Sequence, residues 1–128
     1  MSLPAVAVTP DGKRVIVAWK QVNQGVAHIS WREPLTSKRD SLLQPEPAGT
    51  QDHPRLALAP DGSWSAVWEE TRGGKQSVWL RHGSAPPQQI STPTDGQAAF
   101  PVLVVGAQTV VAYEAQQGER LKVIVKTL

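Results

Sequence analysis

Apolar residues in this chain come in short runs separated by turn-forming residues. The first run, Pro4–Val8, is followed by Pro10-Asp11-Gly12, where Pro presets φ and Gly accepts the positive φ that a tight turn requires. A second apolar run, Arg14–Trp19, leads to a turn signal at Asn23-Gln24-Gly25 and then to the alternating segment Val26–Arg32. No segment keeps the helical period of about 3.6 residues. The pattern therefore predicts antiparallel strands joined by hairpins.

This pattern occurs three times along the chain. The copies are Pro4–Trp19, Pro54–Trp68 and Pro101–Tyr113, so the period is 50 and then 47 residues. The first two copies share the Pro-Asp-Gly turn, which shrinks to Gly106-Ala107-Gln108 in the third. Three related units therefore follow one another.

Each copy is followed by further predicted elements. A short edge strand is expected at Ser41–Gln44, and the loops Pro45–His53 and Thr92–Phe100 lead into the next copy. In each loop a glycine, Gly49 or Gly96, stands five positions before the next Pro. The strands predicted in the second and third units are Arg55–Ala59, Ser63–Trp68, Gln76–His82, Gln88–Ser91, Val102–Val105, Thr109–Ala115 and Arg120–Thr127.

The predicted fold class is all-β. Repeats of roughly 50 residues with four strands each are typical of β-propeller blades, because one meander cannot cover both of its own apolar faces. We expect one domain over residues 1–128, with blades at 4–53 and 54–100 and an incomplete third blade at 101–128. This amounts to about 2.5–3 four-stranded antiparallel meanders, a partial or half propeller. A β-sandwich is the alternative that turn spacing leaves open.

The shared segment P-x-[VL]-A-[VL]-x-P-D-G, followed by a strand that ends in Trp, resembles the blade repeats of sialidase-like, Asp-box-related β-propeller proteins. Asp11 and Gly12 carry the turn of the motif in the first copy, and Asp61 and Gly62 carry it in the second. The resemblance implies a propeller and a bacterial periplasmic or secreted location. The Asp-box S-x-D-x-G-x-x-W and an arginine-centred catalytic segment are not matched, so the resemblance covers the repeats and not the catalytic motifs.

A propeller of this kind has about six blades, twice what this chain supplies. Two or three blades leave broad apolar faces exposed, which a soluble monomer does not tolerate. Three arrangements would cover them: further blades of a longer chain, a second copy of this chain, or a curled, sandwich-like sheet pair. We expect self-association into a homodimer.

Composition limits the chemistry. The net charge of +2 is small and scattered, which argues against a nucleic-acid partner. The absence of cysteine excludes disulfides and thiolate metal sites. No apolar run is long enough for a membrane span, and the N-terminus of this chain does not have the pattern of a signal peptide. His28, His53 and His82 lack metal-ligand spacing, so we expect neither a metal nor a cofactor.

Aromatic and charged residues recur at fixed positions of the repeat. Trp19, Trp68 and Tyr113 are expected to pack between blades, since large aromatic side chains dominate such cores. Glu69 and Glu70 follow Trp68 and are interpreted as loop-entry residues. Neighbouring strand residues point to opposite faces, so these carboxylates are poorly placed to act together. A basic residue recurs at the ends of the third strands, where it would blunt edge pairing; the three residues are Arg32, Arg81 and Lys126.

No nucleophile elbow, phosphate loop or zinc motif occurs, so we predict no catalytic residues. The predicted function is a non-catalytic binding or scaffolding module with an unidentified ligand. The alternatives are part of a glycosidase whose site needs another chain or further domains, and a carbohydrate-binding lectin that uses Trp31 or Trp79. The candidate binding residues, chosen near the connections that propellers use for ligands, are His53, Arg55, Glu70, Arg72 and Phe100.

Overall fold

The computed structural model describes residues 3–45 and 49–128. Within these residues the chain forms three antiparallel sheets, ordered β1-β2-β3-β4, β5-β6-β7-β8 and β9-β10-β11, here called sheets 1, 2 and 3. A 3-10 turn, Pro93–Asp95, precedes sheet 3. The strands are β1 Ala5–Val8, β2 Val15–Asn23, β3 Val26–Arg32, β4 Ser41–Leu42, β5 Thr50–Leu58, β6 Trp64–Arg72, β7 Lys75–His82, β8 Gln88–Gln89, β9 Gln97–Val105, β10 Thr109–Gln117 and β11 Arg120–Thr127.

The three sheets are structural copies of one meander. Ala5 pairs with Ala18 in sheet 1, Arg55 with Val67 in sheet 2, and Val102 with Ala112 in sheet 3. Trp19, Trp68 and Tyr113 each follow the second member of these pairs and so hold one position. The all-β, propeller-blade prediction is confirmed.

The Pro-Asp-Gly turns of sheets 1 and 2 are built alike. Asp11 accepts hydrogen bonds from the Thr9 hydroxyl at 2.7 Å and from the Lys13 amide at 2.9 Å. Asp61 accepts from the Ser63 hydroxyl and amide at 2.7 and 2.9 Å. These donors lower the pKa of both carboxyls, the hydroxyl contributing most in each case. The sequence motif is therefore a hydrogen-bonded turn repeated at one position of the fold.

The first strands of sheets 2 and 3 start earlier than predicted. β5 begins at Thr50 and β9 at Gln97, so the repeat boundaries at Pro54 and Pro101 fall inside strands. The loop predictions for 45–53 and 92–100 were wrong in these parts, while residues 46–48 of the first loop lie outside the described residues. The early start arises because the second strand continues past its aromatic residue: β6 extends to Arg72 and gives β5 further backbone partners.

Gly49 and Gly96 are explained by this pairing. A Cβ at Gly49 would lie 2.1 Å from the carbonyl oxygen of Thr71, and one at Gly96 would lie 2.3 Å from that of Gln116. Both oxygens belong to the second strand of their sheet, near its end. Glycine lets the incoming chain pass directly against that strand.

The core lies between the sheets, in two layers. Between sheets 1 and 2, Ile16 and Ala18 pack against Trp64, Ala66 and Trp68. The opposite face of sheet 2 packs on sheet 3, and the residues of that layer are Val67, Val78, Leu80, Ile90, Ala98, Val111, Tyr113 and Ala115. Trp68 and Tyr113 therefore face the preceding sheet, as predicted for inter-blade aromatics. Trp19, at the same position of sheet 1, lies on the face opposite sheet 2, so for Trp19 the prediction stays open.

Basic residues at one repeat position join consecutive sheets. Arg81 donates to the carbonyl of Leu43 at 2.9 Å, and Lys126 donates to the carbonyl of Ile90 at 2.7 Å. Leu43 and Ile90 each follow the two-residue fourth strand of the preceding sheet. The interpretation that this basic position blunts edge pairing was wrong for Arg81 and Lys126, because both side chains bridge to a neighbouring sheet.

We predict that Gly49→Ala and Gly96→Ala each lower the free energy of unfolding by about 1–3 kcal/mol, since the new methyl group would press on a strand carbonyl. Gly106→Ala is the matched control, because a Cβ there meets nothing within 4 Å. Urea denaturation of the three variants measures the effect. Equal midpoints for all three would contradict the close approach.

Tyr113 and Asp95 form a partly buried polar pair between sheets 2 and 3. The Tyr113 hydroxyl donates to the Asp95 carboxylate at 2.6 Å. Burial, then this hydrogen bond and the negative charge of Asp95, raises the pKa of Tyr113 above its ordinary value. Burial would by itself raise the pKa of Asp95, but the Thr92 amide, the Tyr113 hydroxyl and the Lys126 charge together lower it.

These shifts predict a loss of stability at high pH. A phenol whose pKa is raised on folding stabilises the protein fully below its unfolded pKa of about 10, and the contribution falls above that pH by at most about 1.4 kcal/mol per pH unit. We expect Tyr113→Phe to be less stable near pH 7 by about 1.5–3 kcal/mol, for the lost hydrogen bond to a charged group. The variant should lose less stability than the parent between about pH 10 and 12.

Urea titrations at stepped pH test this expectation. Tyr113 is the only tyrosine of the chain, so phenolate absorbance follows its ionisation directly in the native and the unfolded protein. Lysines also titrate in this range, and Tyr113→Phe is the control that separates their contribution. A native phenol that ionised near pH 10 would contradict the prediction.

Candidate functional site

Two equivalent backbone irregularities place side chains at one end of the sheets. His53 and Phe100 each stand before the first Pro of a repeat, and both have φ of 53°. The pairing of β5 with β6 and of β9 with β10 shifts register at these points, which marks β-bulges. The two rings meet with centroids 4.7 Å apart and planes at 57°.

Glu69 holds this pair of bulges together from β6. One oxygen of its carboxylate lies 2.8 Å from His53 Nδ1, and the other accepts the backbone N–H of Phe100 at 3.0 Å. The side chain is almost fully buried. A carboxylate of sheet 2 thus fixes one bulge in its own sheet and one in sheet 3.

Asp52 and Lys20 extend the polar cluster toward sheet 1. Lys20 Nζ lies 3.1 Å from the Asp52 carboxylate, and the His53 amide donates to the same carboxylate at 2.8 Å. Lys20 and Glu69 hold the same repeat position, and each reaches the first strand of the next sheet. The positive Lys20 thus binds a carboxylate at the junction of sheets 1 and 2, while the negative Glu69 binds a backbone amide at the junction of sheets 2 and 3.

Asp52, His53 and Glu69 offer one donor atom each within 4.8 Å of one another, a spacing that could hold a metal ion. Structural zinc sites use four protein ligands, and catalytic sites use three with an open position. Here the Lys20 ammonium already provides a positive charge beside Asp52. We therefore interpret the cluster as a hydrogen-bonded network around the Lys20–Asp52 ion pair, and this network positions the rings.

Arg55 lies beside this cluster. It is exposed, and with Pro4, His53 and Pro54 it lines a depression of about 210 Å³. Phe100 is 54% exposed and lies at the same end of the molecule, where its ring contacts the His53 ring. His53, Arg55 and Phe100 are the three sequence-predicted candidates that the structure brings together.

Glu70 and Arg72 belong to a different environment. Glu70 is 0% exposed and accepts hydrogen bonds from Gln51 at 3.2 Å, from the Trp68 indole at 3.4 Å and from Arg72. Arg72 also covers the Trp79 ring, with its guanidinium carbon 4.7 Å from the centroid. Glu70 is thus a buried structural acid between sheets 1 and 2, and the interpretation of Glu69 and Glu70 as loop-entry residues was wrong, since both lie inside β6.

The tryptophans considered for a lectin site lie against the junction of sheets 1 and 2. Trp31 packs on Trp64 with centroids 4.7 Å apart, and Trp79 packs against the same core beneath Arg72. Neither ring is set apart from the core as a binding platform would be.

Sequence reasoning missed Asp52, Lys20 and the anchoring role of Glu69. Asp52 lay in a predicted loop, and its pairing with Lys20 spans two sheets. One signal was available: Lys20 and Glu69 follow equivalent tryptophans with opposite charge. The charge at this position therefore depends on the junction in which the residue lies and is not a constant feature of the repeat.

The three stacked meanders form a fold of the β-propeller-blade type. A solved structure with a similar fold is that of a variant of fructan 1-exohydrolase IIa from Cichorium intybus in complex with 1-kestose, with a TM-score of 0.50 and 14% sequence identity. The likeness covers 95% of this chain and 30% of that one, so this chain spans less than a third of its neighbour. No family model matches the sequence, and no curated protein is significantly similar. Across the described residues, helices of the length and apolarity that a membrane crossing needs are absent.

We predict that Glu69→Ala lowers the free energy of unfolding by about 1–3 kcal/mol, because the Phe100 amide loses its acceptor in a partly buried place. Amide hydrogen exchange gives the specific readout: exchange at Phe100 should accelerate more than at the other amides of β9. Glu119→Ala, on an exposed turn, is the control. Unchanged protection of the Phe100 amide would contradict the anchoring role.

Proposed function

We propose that this chain is a saccharide-binding module of the sialidase-like and glycosidase propeller type, without a catalytic role of its own. The observation that supports this proposal is the His53–Phe100 ring pair, held at one end of sheets 2 and 3 by a buried carboxylate. An exposed aromatic ring that rests on a fixed backbone is a pre-organised contact surface. The ligand-binding face is the one that His53, Arg55 and Phe100 share.

The chemistry of the cluster suits a carbohydrate. The face of the Phe100 ring offers apolar area to the C–H groups of a sugar, while nearby polar groups would satisfy its hydroxyls. Arg55 supplies a fork of donors on the rim of the depression, and this fork also suits a carboxylate-bearing sugar. The solved neighbour was crystallised with an oligosaccharide, which is in keeping with this class of ligand.

A hydrolytic role is the less favoured candidate. Glycosidases use two carboxyl groups that flank the scissile bond, about 5–5.5 Å apart in retaining enzymes. Asp52 and Glu69 lie at a comparable spacing, within 4.8 Å. Both oxygens of Glu69 are engaged by His53 and Phe100, and Asp52 faces the Lys20 ammonium. In this arrangement neither carboxyl group is placed to protonate a leaving group.

Glycan-array screening followed by calorimetry tests the proposal. We predict that Phe100→Ala weakens binding of the best glycan at least about 10-fold, since stacking area is lost, and that Phe100→Tyr retains most of the affinity. Leu35→Ala is the matched control, because Leu35 is an exposed apolar side chain in the loop after β3. Absence of binding to any array glycan, or equal affinities of Phe100→Ala and the parent, would overturn the proposal.

A further inference from the structure

Among the residues that the structure describes, two apolar sheet faces have no neighbouring sheet, one at each end of the three sheets. On sheet 1, Val6 and Val8 lie beside Val15, Val17 and Trp19, and Val6 is 66% exposed. On sheet 3 the outward residues include Val123, which is 72% exposed. The other apolar members of that face are Val102, Val104, Val110, Ala112, Leu121 and Val125.

These two faces are opposite sides of the same repeat. The outer face of sheet 1 holds Trp19. The equivalent residues, Trp68 and Tyr113, lie on the faces of sheets 2 and 3 that pack on the preceding sheet. The outer face of sheet 3 holds Val123, whose equivalent Val78 faces the following sheet. The two free faces therefore correspond to the two faces that pack together at each internal junction.

The basic position of the third strand makes a different contact in sheet 1, where the residue is Arg32. Its equivalents Arg81 and Lys126 donate to carbonyls that follow the fourth strand of the preceding sheet. Arg32 instead pairs with Asp40 of its own sheet, with its Nε 2.6 Å from the carboxylate. Arg32 is thus already paired within its own repeat unit, so a neighbouring sheet does not have to supply it with a carbonyl.

We propose that a second copy of this chain covers both faces, with sheet 3 of each copy on sheet 1 of the other. This head-to-tail contact repeats the internal junctions, and it closes because two copies of three sheets make six, within the range of about 4–8 blades that form rings. One copy would make three blades and three copies would make nine, both outside that range. This inference concerns assembly and does not depend on the ligand.

The mass in solution is the first test. Light scattering and sedimentation of the 128-residue chain should give twice the 13.8 kDa of one chain at micromolar concentration. A monomer at all accessible concentrations would overturn the proposal. A series of larger species that grows with concentration would also overturn it, because it would mean that the contact does not close.

Two variants test the direction of the contact. Val6→Asp places a charge on the outer face of sheet 1, and Val123→Asp places one on the outer face of sheet 3. Each variant alone has no unmodified junction, so we expect its dimer dissociation constant to rise at least about 100-fold. Mixing the two variants restores one unmodified junction, so the mixture should form a dimer that neither variant forms alone.

Leu35→Asp is the control for an added charge at an exposed apolar position, and it should dimerise as the parent does. Circular dichroism and the thermal midpoint establish that each variant is folded, as expected for substitutions outside both core layers. A dimer of Val6→Asp alone would show that the sheet 1 face is not used. A mixture that stays monomeric would show that the contact is not head-to-tail. Either result overturns the proposal.

Discussion

Mutual burial of neighbouring sheets is the constraint on which this structure depends. β6 shows it most clearly, since it lies between sheets 1 and 3 and is buried on both faces from Trp64 to Glu70. β2 and β10 are the same element of the repeat, but their burial alternates because only one face of each has a neighbour. A four-stranded meander has two apolar faces, so its stability comes from stacking and not from its own hydrogen bonds.

Stacking also decides how polar groups are used. Fourth strands of two residues leave carbonyls without strand partners, and Arg81 and Lys126 supply donors from the next sheet. Backbone amides of the third strands also lack strand partners and are bound by side chains. The Ile29 amide donates to Gln51 at 2.9 Å, and the Val78 amide donates to Ser91 at 2.9 Å. Side chains thus supply the hydrogen bonds that the backbone ladder does not, because buried polar groups need partners.

The sequence predicted what local chemistry determines. Turn residues such as Asp11 and Gly12 form their hydrogen bonds within a few positions, so the repeat and its hairpins could be read directly. The early starts of β5 and β9 could not, because polar residues such as Gln51 and Glu70 resemble loop residues. Their burial depends on a neighbouring sheet that periodicity does not reveal. The ring pair was found only as separate candidates, His53 and Phe100, since the bulges that bring them together depend on Glu69 across the sheet.

The candidate site is not a by-product of the repeat. Left-handed backbone at a non-glycine residue costs about 1–3 kcal/mol and is unusual for a bulky side chain such as Phe100, so it persists only where surrounding contacts enforce it. Glu69 is that contact, and it exists at the junction of sheets 2 and 3. At the junction of sheets 1 and 2 the same position is Lys20, which binds the Asp52 carboxylate and no backbone amide of a bulge. Both residues reach the first strand of the next sheet, but only Glu69 accepts the amide of a bulge residue directly. The difference between them therefore points to a local role, which is to hold two rings at one edge of the fold.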